Sequence, residues 1–447
     1  MPAHANSLRL RLSAGPSTGT QMAKDLGISQ PTATRALAAM GEEVIKLGQK
    51  KGTRYVLRDR SRGFDDVPVF RVDAEGRLKA LGVLSPVRPD GFVFTQTDGV
   101  QTHSDGLPWW LLDMRPQGYL GRAFASRHGA TLGLPHALNE WTDSHAIRAL
   151  LVHGHDLVGN LLLGDRAREQ FMTAPVPAAI EPADKASIYA RLAQAAAQGE
   201  QPGSSAGGEQ PKFAAHAHTA NGPAHVLVKF SEQRPSPVSQ RWRDLLLAEH
   251  LALNTLREAG VAAAHSAVLD HEGQRFLEVE RFDRVGRLGR RALVSLSALD
   301  AEFVGAAHQP WPVVTRALAA QGVVTPEASE AAALLWAFGT LTGNTDMHGG
   351  NVSFMSEHGR PYQAAPAYDM TPMAFAPNSS GRLPETVPPP QLHASVSNAQ
   401  WRTAQVWARQ YLRVLQASPQ FSPDFNTCLQ AMAEHLEAAS AQIDRLA

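Results

Sequence analysis

The spacing of apolar residues changes period several times along this 447-residue chain, and each change marks a predicted element. Apolar positions in residues 7–12 predict a short first helix. Residues 18–26 place Met22, Ala23 and Leu26 on one face of a second helix. Gly27 follows, where a helix end favours positive φ. Ser29 is placed to cap a third helix, with Gln30 and Pro31 in its first turn, running to about Met40. The period then drops to two. Residues 44–47 and 55–57 predict short strands joined by a basic tip at 49–54. From Val67 to about Phe124 the pattern reads as short strands (69–72, 80–84, 91–95) punctuated by Gly and Pro, with 109–112 as core and turn. Further on, residues 186–198 predict an Ala-rich helix and 245–256 a strongly apolar one. Residues 225–230 and 276–284 predict strands, and 352–354 with 362–364 a hairpin. A Pro-rich loop covers 372–390, and 399–417 and 422–446 read as amphipathic helices.

Composition narrows the class. Lys plus Arg equals Asp plus Glu at 42 each, so no net charge draws the chain to nucleic acid or membrane. The local balance differs: residues 1–62 hold eleven Lys/Arg against four Asp/Glu. The single Cys428 excludes an intrachain disulfide and a Cys-based zinc site, which fits a reducing compartment. No secretory apolar region and no membrane-length apolar run is present, so the expectation is a soluble cytoplasmic protein without a membrane partner. His145, His153, His155, His216, His218 and His225 are scattered without convergent Asp, Glu or Cys, and no dedicated metal centre is expected from them.

Helix, Gly turn, capped helix and basic strand tip together resemble winged helix-turn-helix DNA-binding domains. That resemblance implies that Ser29, Gln30, Thr32, Thr34 and Arg35 face the major groove of an operator-like DNA duplex. Lys50, Lys51 and Arg54 would meet phosphates or a minor groove. A small helical protein-interaction module with solvated basic residues is the alternative.

The chemistry concentrates further along. Asp346 and Asn351 lie five positions apart in a Gly-rich loop, the spacing kinases use for a proton-accepting aspartate and a Mg²⁺-holding asparagine. His348, between them, is read as shaping the loop rather than as the base. In residues 204–213, small residues and Gly207-Gly208 let backbone N–H groups approach phosphate, and Lys212 adds charge. A Gly/Ser linker is the plainer reading, but Gln210-Pro211-Lys212-Phe213 runs straight into another predicted strand. Lys229 sits inside an apolar strand, where burial is costly unless an anion meets it. Glu249 follows twenty residues on, in the predicted helix. The strand at 276–284 ends where a kinase hinge would receive adenine. Asp369, eighteen residues after Asn351, is placed to be a second Mg²⁺ ligand.

In this order the pieces resemble the HipA-type serine/threonine kinases of bacterial toxin–antitoxin systems, over roughly residues 67–447. The resemblance implies an α+β, bilobal protein-kinase-like fold with an N-terminal β subdomain, to which patches at 82–84, 109–112 and 116–118 are similar. Here a small winged helix-turn-helix unit precedes it, with boundaries expected at 1–62, 63–175 and 176–447. It also implies a regulatory phosphate loop with Ser205 autophosphorylated and Ala206, Gly207, Gly208, Gln210 and Lys212 around ATP. Lys229 would be the nucleotide lysine braced by Glu249, Glu280 and Phe282 the hinge, Asp346 the catalytic base, and Asn351 and Asp369 the Mg²⁺ ligands. A protein substrate follows, aminoacyl-tRNA synthetases being the family's known kind, with an antitoxin protein or a second copy as partner. One departure stands out: family members usually bind DNA through a separate antitoxin, whereas this chain carries its own winged helix. Two other readings stay open. Aminoglycoside- and choline-type small-molecule kinases use a very similar Asp/His/Asn loop, and a DNA-binding regulator could retain a weak or inactive kinase fold.

Overall fold

The computed structural model describes residues 4–48, 52–175, 178–197, 210–357 and 359–446. At the N-terminus three helices, Ala5–Ser13, Gly19–Asp25 and Gln30–Ala39, pack around Leu8, Leu12, Met22, Leu37 and Met40. Thr18 and Ser29 cap the second and third, accepting from Gln21 N at 3.1 Å and Thr32 N at 3.3 Å. Gly27 has φ +64°, a left-handed turn that glycine adopts without a Cβ clash. The strand Arg54–Leu57 lies between Ser17–Thr18 and Val44–Leu47. This unit is not a bead on a string: Ile45, Leu47 and Val56 share a buried cluster with Val93 of the next sheet and with Val87 beside it.

That next sheet has five antiparallel strands, in spatial order Gln101–Ser104, Phe92–Gln96, Leu78–Pro86, Val67–Val72 and Leu161–Leu163. The strand-like reading of residues up to Phe124 needs correction at its end. Residues 109–114 form a short 3₁₀ helix and Gly118–His128 an α-helix, because Leu120, Ala123 and Phe124 bury at helical spacing. Helices Asp143–His153 and Gly164–Thr173 complete the unit.

The rest has two lobes. The upper one is a four-stranded antiparallel sheet in the order Ser266–His271, Gln274–Glu280, Gly222–Phe230 and Lys212–Thr219. Helix Lys185–Ala197 covers one face through Tyr189 and Ala193, and helix Pro237–Glu258 reaches the other through Leu246. The lower lobe is mainly helical, built from Trp311–Ala320, Pro326–Leu341, Asn398–Ala417 and Asn426–Ile443. A small sheet of Ala292–Ser295, Ser353–Ser356 and Gln363–Ala364 faces the cleft, its last two strands forming the hairpin expected from sequence. The whole is α+β and bilobal. No described helix is long and apolar enough to cross a membrane.

Candidate active site

The strand Gly222–Phe230 is paired on both sides, so its side chains alternate between the two faces of the sheet. Val226 and Val228 enter the core beneath helix Lys185–Ala197, while Leu227 and Lys229 face the cleft. Lys212 is the direct cross-strand neighbour of Lys229, and the two are 2% and 5% exposed. Like charges directly opposite one another destabilise a strand pair, and buried charge is costly unless compensated. Compensation comes from two carboxylates. Lys229 Nζ lies 2.6 and 2.8 Å from the Glu249 oxygens and also donates to Asp369. Burial pulls the Lys229 ammonium down, but Asp369 and Glu249 outweigh it and hold its pKa above the ordinary value. Burial would raise Asp369, and the charges of Lys229 and Lys212 reverse that, holding it below the ordinary carboxylate value. Of the two carboxylates sharing one ammonium, Glu249 is the one that burial pushes up.

Helix Pro326–Leu341 delivers the Asp/Asn loop, and side chains within the loop fix its shape. Asn344 accepts from Asp346 N at 3.0 Å and donates to Asp369 O at 3.4 Å, joining the two acidic segments. Asn351 Nδ2 donates to Asp346 O at 2.8 Å, which leaves its amide oxygen at the other end of the group. His348 Nδ1 accepts from Gly350 N at 3.0 Å, and its backbone oxygen accepts from Trp311 Nε1 at 3.0 Å. One ring nitrogen is thus engaged in holding the loop. A Cβ on Gly349 would sit 2.7 Å from Ser297 Oγ, so only glycine fits this close approach. Asp369 has φ +53°, a conformation a non-glycine residue keeps only where its surroundings over-determine it. Its bonds to Lys229 and Asn344 do so here.

A cavity of about 570 Å³ lies between the lobes. It has a charged end at Lys212, Lys229, Glu249, Asn351 and Asp369, and apolar walls from Leu112, Val158, Leu227, Val279 and Leu293. Glu280, Phe282 and His348 also line it. Asp346 stands at the rim, its side chain 51% exposed and 3.8 Å from His348 Nε2. Gln210 is half-buried just before its strand and does not line the cavity. Ser205, Ala206, Gly207 and Gly208 lie outside the described residues, as do Lys50 and Lys51. Of the residues expected to face DNA, Ser29, Gln30, Thr34, Arg35 and Arg54 are exposed. Thr32 is half-buried, its hydroxyl 2.8 Å from the capping Ser29 Oγ.

Sequence reasoning passed over several cavity residues. Asp113 and Arg115 come from the five-stranded unit. Asp113, whose burial raises its pKa, accepts from Ser295 N and Oγ at 2.6 Å each, and Arg115 is held by Asp143 at 2.7 Å. Arg281 and Asp283 belong to an ionic network with buried Arg284 and the exposed Asp156. Asp113 and Arg115 sit in no motif with local spacing, so no pattern in the chain announces them, whereas Arg281 and Asp283 interleave with Glu280 and Phe282 in the strand end read as the hinge. Among the described residues, no group of three or more His, Cys, Asp or Glu could hold a metal alone. An amide oxygen plus one carboxylate, beside two lysines, instead fits Mg²⁺ that takes its remaining ligands from phosphate and water.

Residues 204–443 match the HipA-like C-terminal domain family, and residues 64–172 match the YjjJ-like toxin middle domain. The chain belongs to the HipA-like family. An Escherichia coli (strain K12) relative, Toxin YjjJ, is 39% identical over 435 residues, 97% of each protein, so the likeness extends into the N-terminal unit. Among solved structures, a chain of the Shewanella oneidensis MR-1 HipA, HipB and operator DNA complex aligns with a TM-score of 0.50 at 17% identity. That alignment covers 85% of this chain and 97% of the other, a likeness of fold. The Helicobacter pylori proinflammatory kinase CtkA aligns more loosely, with a TM-score of 0.37 at 13% identity over 53% of this chain and 93% of its own.

Proposed function

We propose that this chain is an ATP- and Mg²⁺-dependent serine/threonine protein kinase of the HipA type that autophosphorylates on Ser205. The observation that carries the reading is the cleft itself. Two buried lysines stand side by side opposite Asn351 and Asp369, with Asp346 at the rim. Lys229, oriented by Glu249, and Lys212 bind and neutralise the triphosphate. Apolar walls and the strand end at Glu280–Phe282 receive the base. Asn351 and Asp369 hold Mg²⁺, which when bound neutralises charge on the phosphate oxygens. Asp346 accepts the proton of the incoming Ser or Thr hydroxyl. Its half-exposed position suits a protein acceptor that approaches from outside the cavity. Phosphate on Ser205 would add close to two negative charges beside this cleft and oppose nucleotide binding.

The same chain, on this reading, binds DNA through its N-terminal unit, as a winged helix-turn-helix. Support comes from the capped helix Gln30–Ala39, which presents Gln30, Thr34 and Arg35 outward, with Arg54 exposed on the adjoining strand. The name of the E. coli relative suggests a toxin. An aminoacyl-tRNA synthetase as substrate, and an antitoxin or a second copy as partner, follow from the family.

The test is incubation of purified protein with labelled ATP and Mg²⁺, then mapping of the modified residue. Label on Ser205 is expected. Transfer only to added small metabolites would favour a small-molecule kinase. No transfer, with salt-sensitive binding to duplex DNA, would favour a regulator that keeps the fold without the reaction.

A further inference from the structure

In a bilobal kinase the helix that carries the lysine's glutamate is commonly the part whose position assembles or dismantles the site. Here that helix, Pro237–Glu258, is tied to the lower lobe along one face. Thr371 Oγ1, two residues beyond Asp369, donates to Glu249 Oε2 at 2.8 Å. One position earlier, Ala248 O accepts from the Tyr411 hydroxyl at 2.9 Å, out of helix Asn398–Ala417. A turn further back, Asp244 accepts from Ser422 N at 3.0 Å and Ser422 Oγ at 2.5 Å. Nearest the start, Arg241 Nη1 donates to Phe375 O at 3.0 Å and Pro384 O at 2.7 Å, its guanidinium 5.7 Å from the Phe425 ring.

These anchors follow the i, i+3, i+7 rhythm of one helical stripe, so they act together. Between and beyond them Leu245, Ala252, Leu253 and Leu256 enter the same core as the lower-lobe helices. Arg241, Asp244 and Glu249 are each under 5% exposed. Swinging the helix outward would strip partners from three buried charged residues and open apolar surface together. Each of those changes is costly, and they would have to occur at once.

We propose that the lower lobe fixes the Glu249 helix in its engaged position in the nucleotide-free protein, with Thr371 and Arg241 as positioning residues for Glu249. The consequence for regulation rests on the kinase reading: control acts on access to the cleft, and the helix is no switch. The fixed position itself does not depend on turnover.

Hydrogen exchange on the full, nucleotide-free chain tests it. Amides of residues 245–256 should exchange as slowly as those of Pro326–Leu341, and a non-hydrolysable ATP analogue with Mg²⁺ should change their rates by less than about twofold. Exchange about tenfold faster than in Pro326–Leu341, or strong slowing when the analogue is added, overturns the proposal. If the analogue protects nothing around residues 344–351, the nucleotide reading fails while the comparison of the two helices still decides this one. In an active enzyme, Thr371→Val should lower kcat by about tenfold, and Thr371→Ser should restore it. Full activity in Thr371→Val, or equal loss in both variants, removes the hydroxyl from the positioning role.

Discussion

Lys212 and Lys229 stand side by side on neighbouring strands, and Glu249 and Asp369, which both meet Lys229, help make that arrangement tolerable. An incoming polyanion competes for the same ammonium groups, so the residues that compensate charge in the free protein are those a phosphate would displace or share. Across the cleft, Asp346 and His348 differ in geometry. His348 uses Nδ1 to hold Gly350 N, whereas the Asp346 carboxylate is half exposed at the rim. Asp346→Asn should therefore reduce phosphoryl transfer by about 10²–10⁴ with nucleotide affinity little changed. His348→Gln, which can still accept from the loop backbone, should reduce it far less. Single-turnover transfer and nucleotide binding measured on both variants check this; equal losses would exchange the two roles. These residues were legible in the sequence because their spacing is local: five positions from Asp346 to Asn351, eighteen more to Asp369. Their supports were not. Thr371 meets Glu249 across 122 positions, and Asp113 meets Ser295 across 182, distances at which no motif survives in one sequence.

At the scale of elements, periodicity marked both lobes well and failed where apolar residues were few. Helix Gly118–His128 hides behind Gly and Arg, and its buried Phe124 and Ala125 find their partners in Leu134, Trp141 and Ala149, which local periodicity does not reveal. Helix Pro237–Glu258 was announced by its leucines, yet its polar face carries information of another kind. His250 lies on it with both ring nitrogens engaged. Arg257 fixes the Asn254 amide by donating to its oxygen at 2.6 Å, so Asn254 Nδ2 donates to His250 Nε2 at 3.0 Å. Nδ1 is then the donor toward Ser266 Oγ at 2.9 Å, and the ring is neutral. Burial, with help from the Arg257 charge, holds the His250 pKa down to about 4. An unfolded histidine takes up its proton near pH 6.5, so on acidification the unfolded chain binds that proton first. Stability is then lost as pH falls from about 6.5 towards 4, by about 2 kcal/mol between pH 7 and 5 from this group. Replacing the ring with the uncharged amide of His250→Gln should flatten that part of the profile in urea titrations at pH 7 and 5. An unchanged slope would show that the acid sensitivity lies elsewhere.

For the whole molecule the question is whether the N-terminal unit and the kinase-like lobes move as separate bodies. Composition suggested a basic module placed ahead of an enzyme, but several of those basic residues are spoken for within the chain. Arg9 and Arg11 pair with Glu43 and Asp25 at 2.7 and 2.8 Å. Asp59, 3% exposed, gathers Arg62 at 3.2 Å and Arg88 at 3.0 Å, and Arg62 reaches on to Asp90 O at 3.2 Å with its guanidinium 5.0 Å from the Phe92 ring. Backbone bonds run beside this knot, from Asp59 N to Pro86 O at 2.9 Å and from Arg88 N to Leu57 O at 2.8 Å. The chain therefore leaves the N-terminal unit through a buried ionic joint rather than a linker, and a displacement of that unit would pass to the five-stranded sheet directly. That sheet's unit supplies Asp113 and Arg115 to the cleft, so it touches both ends of such a path. Asp59→Ala removes the carboxylate and leaves Arg62 buried without its partner, which should destabilise the joint by about 3 kcal/mol. Limited proteolysis should then cut between residues 58 and 66 at least about tenfold faster than in the unaltered chain, and on the proposed kinase reading ATP turnover should persist. Cleavage at an unchanged rate would mean that the apolar cluster around Val56 and Val87 holds the two units together by itself.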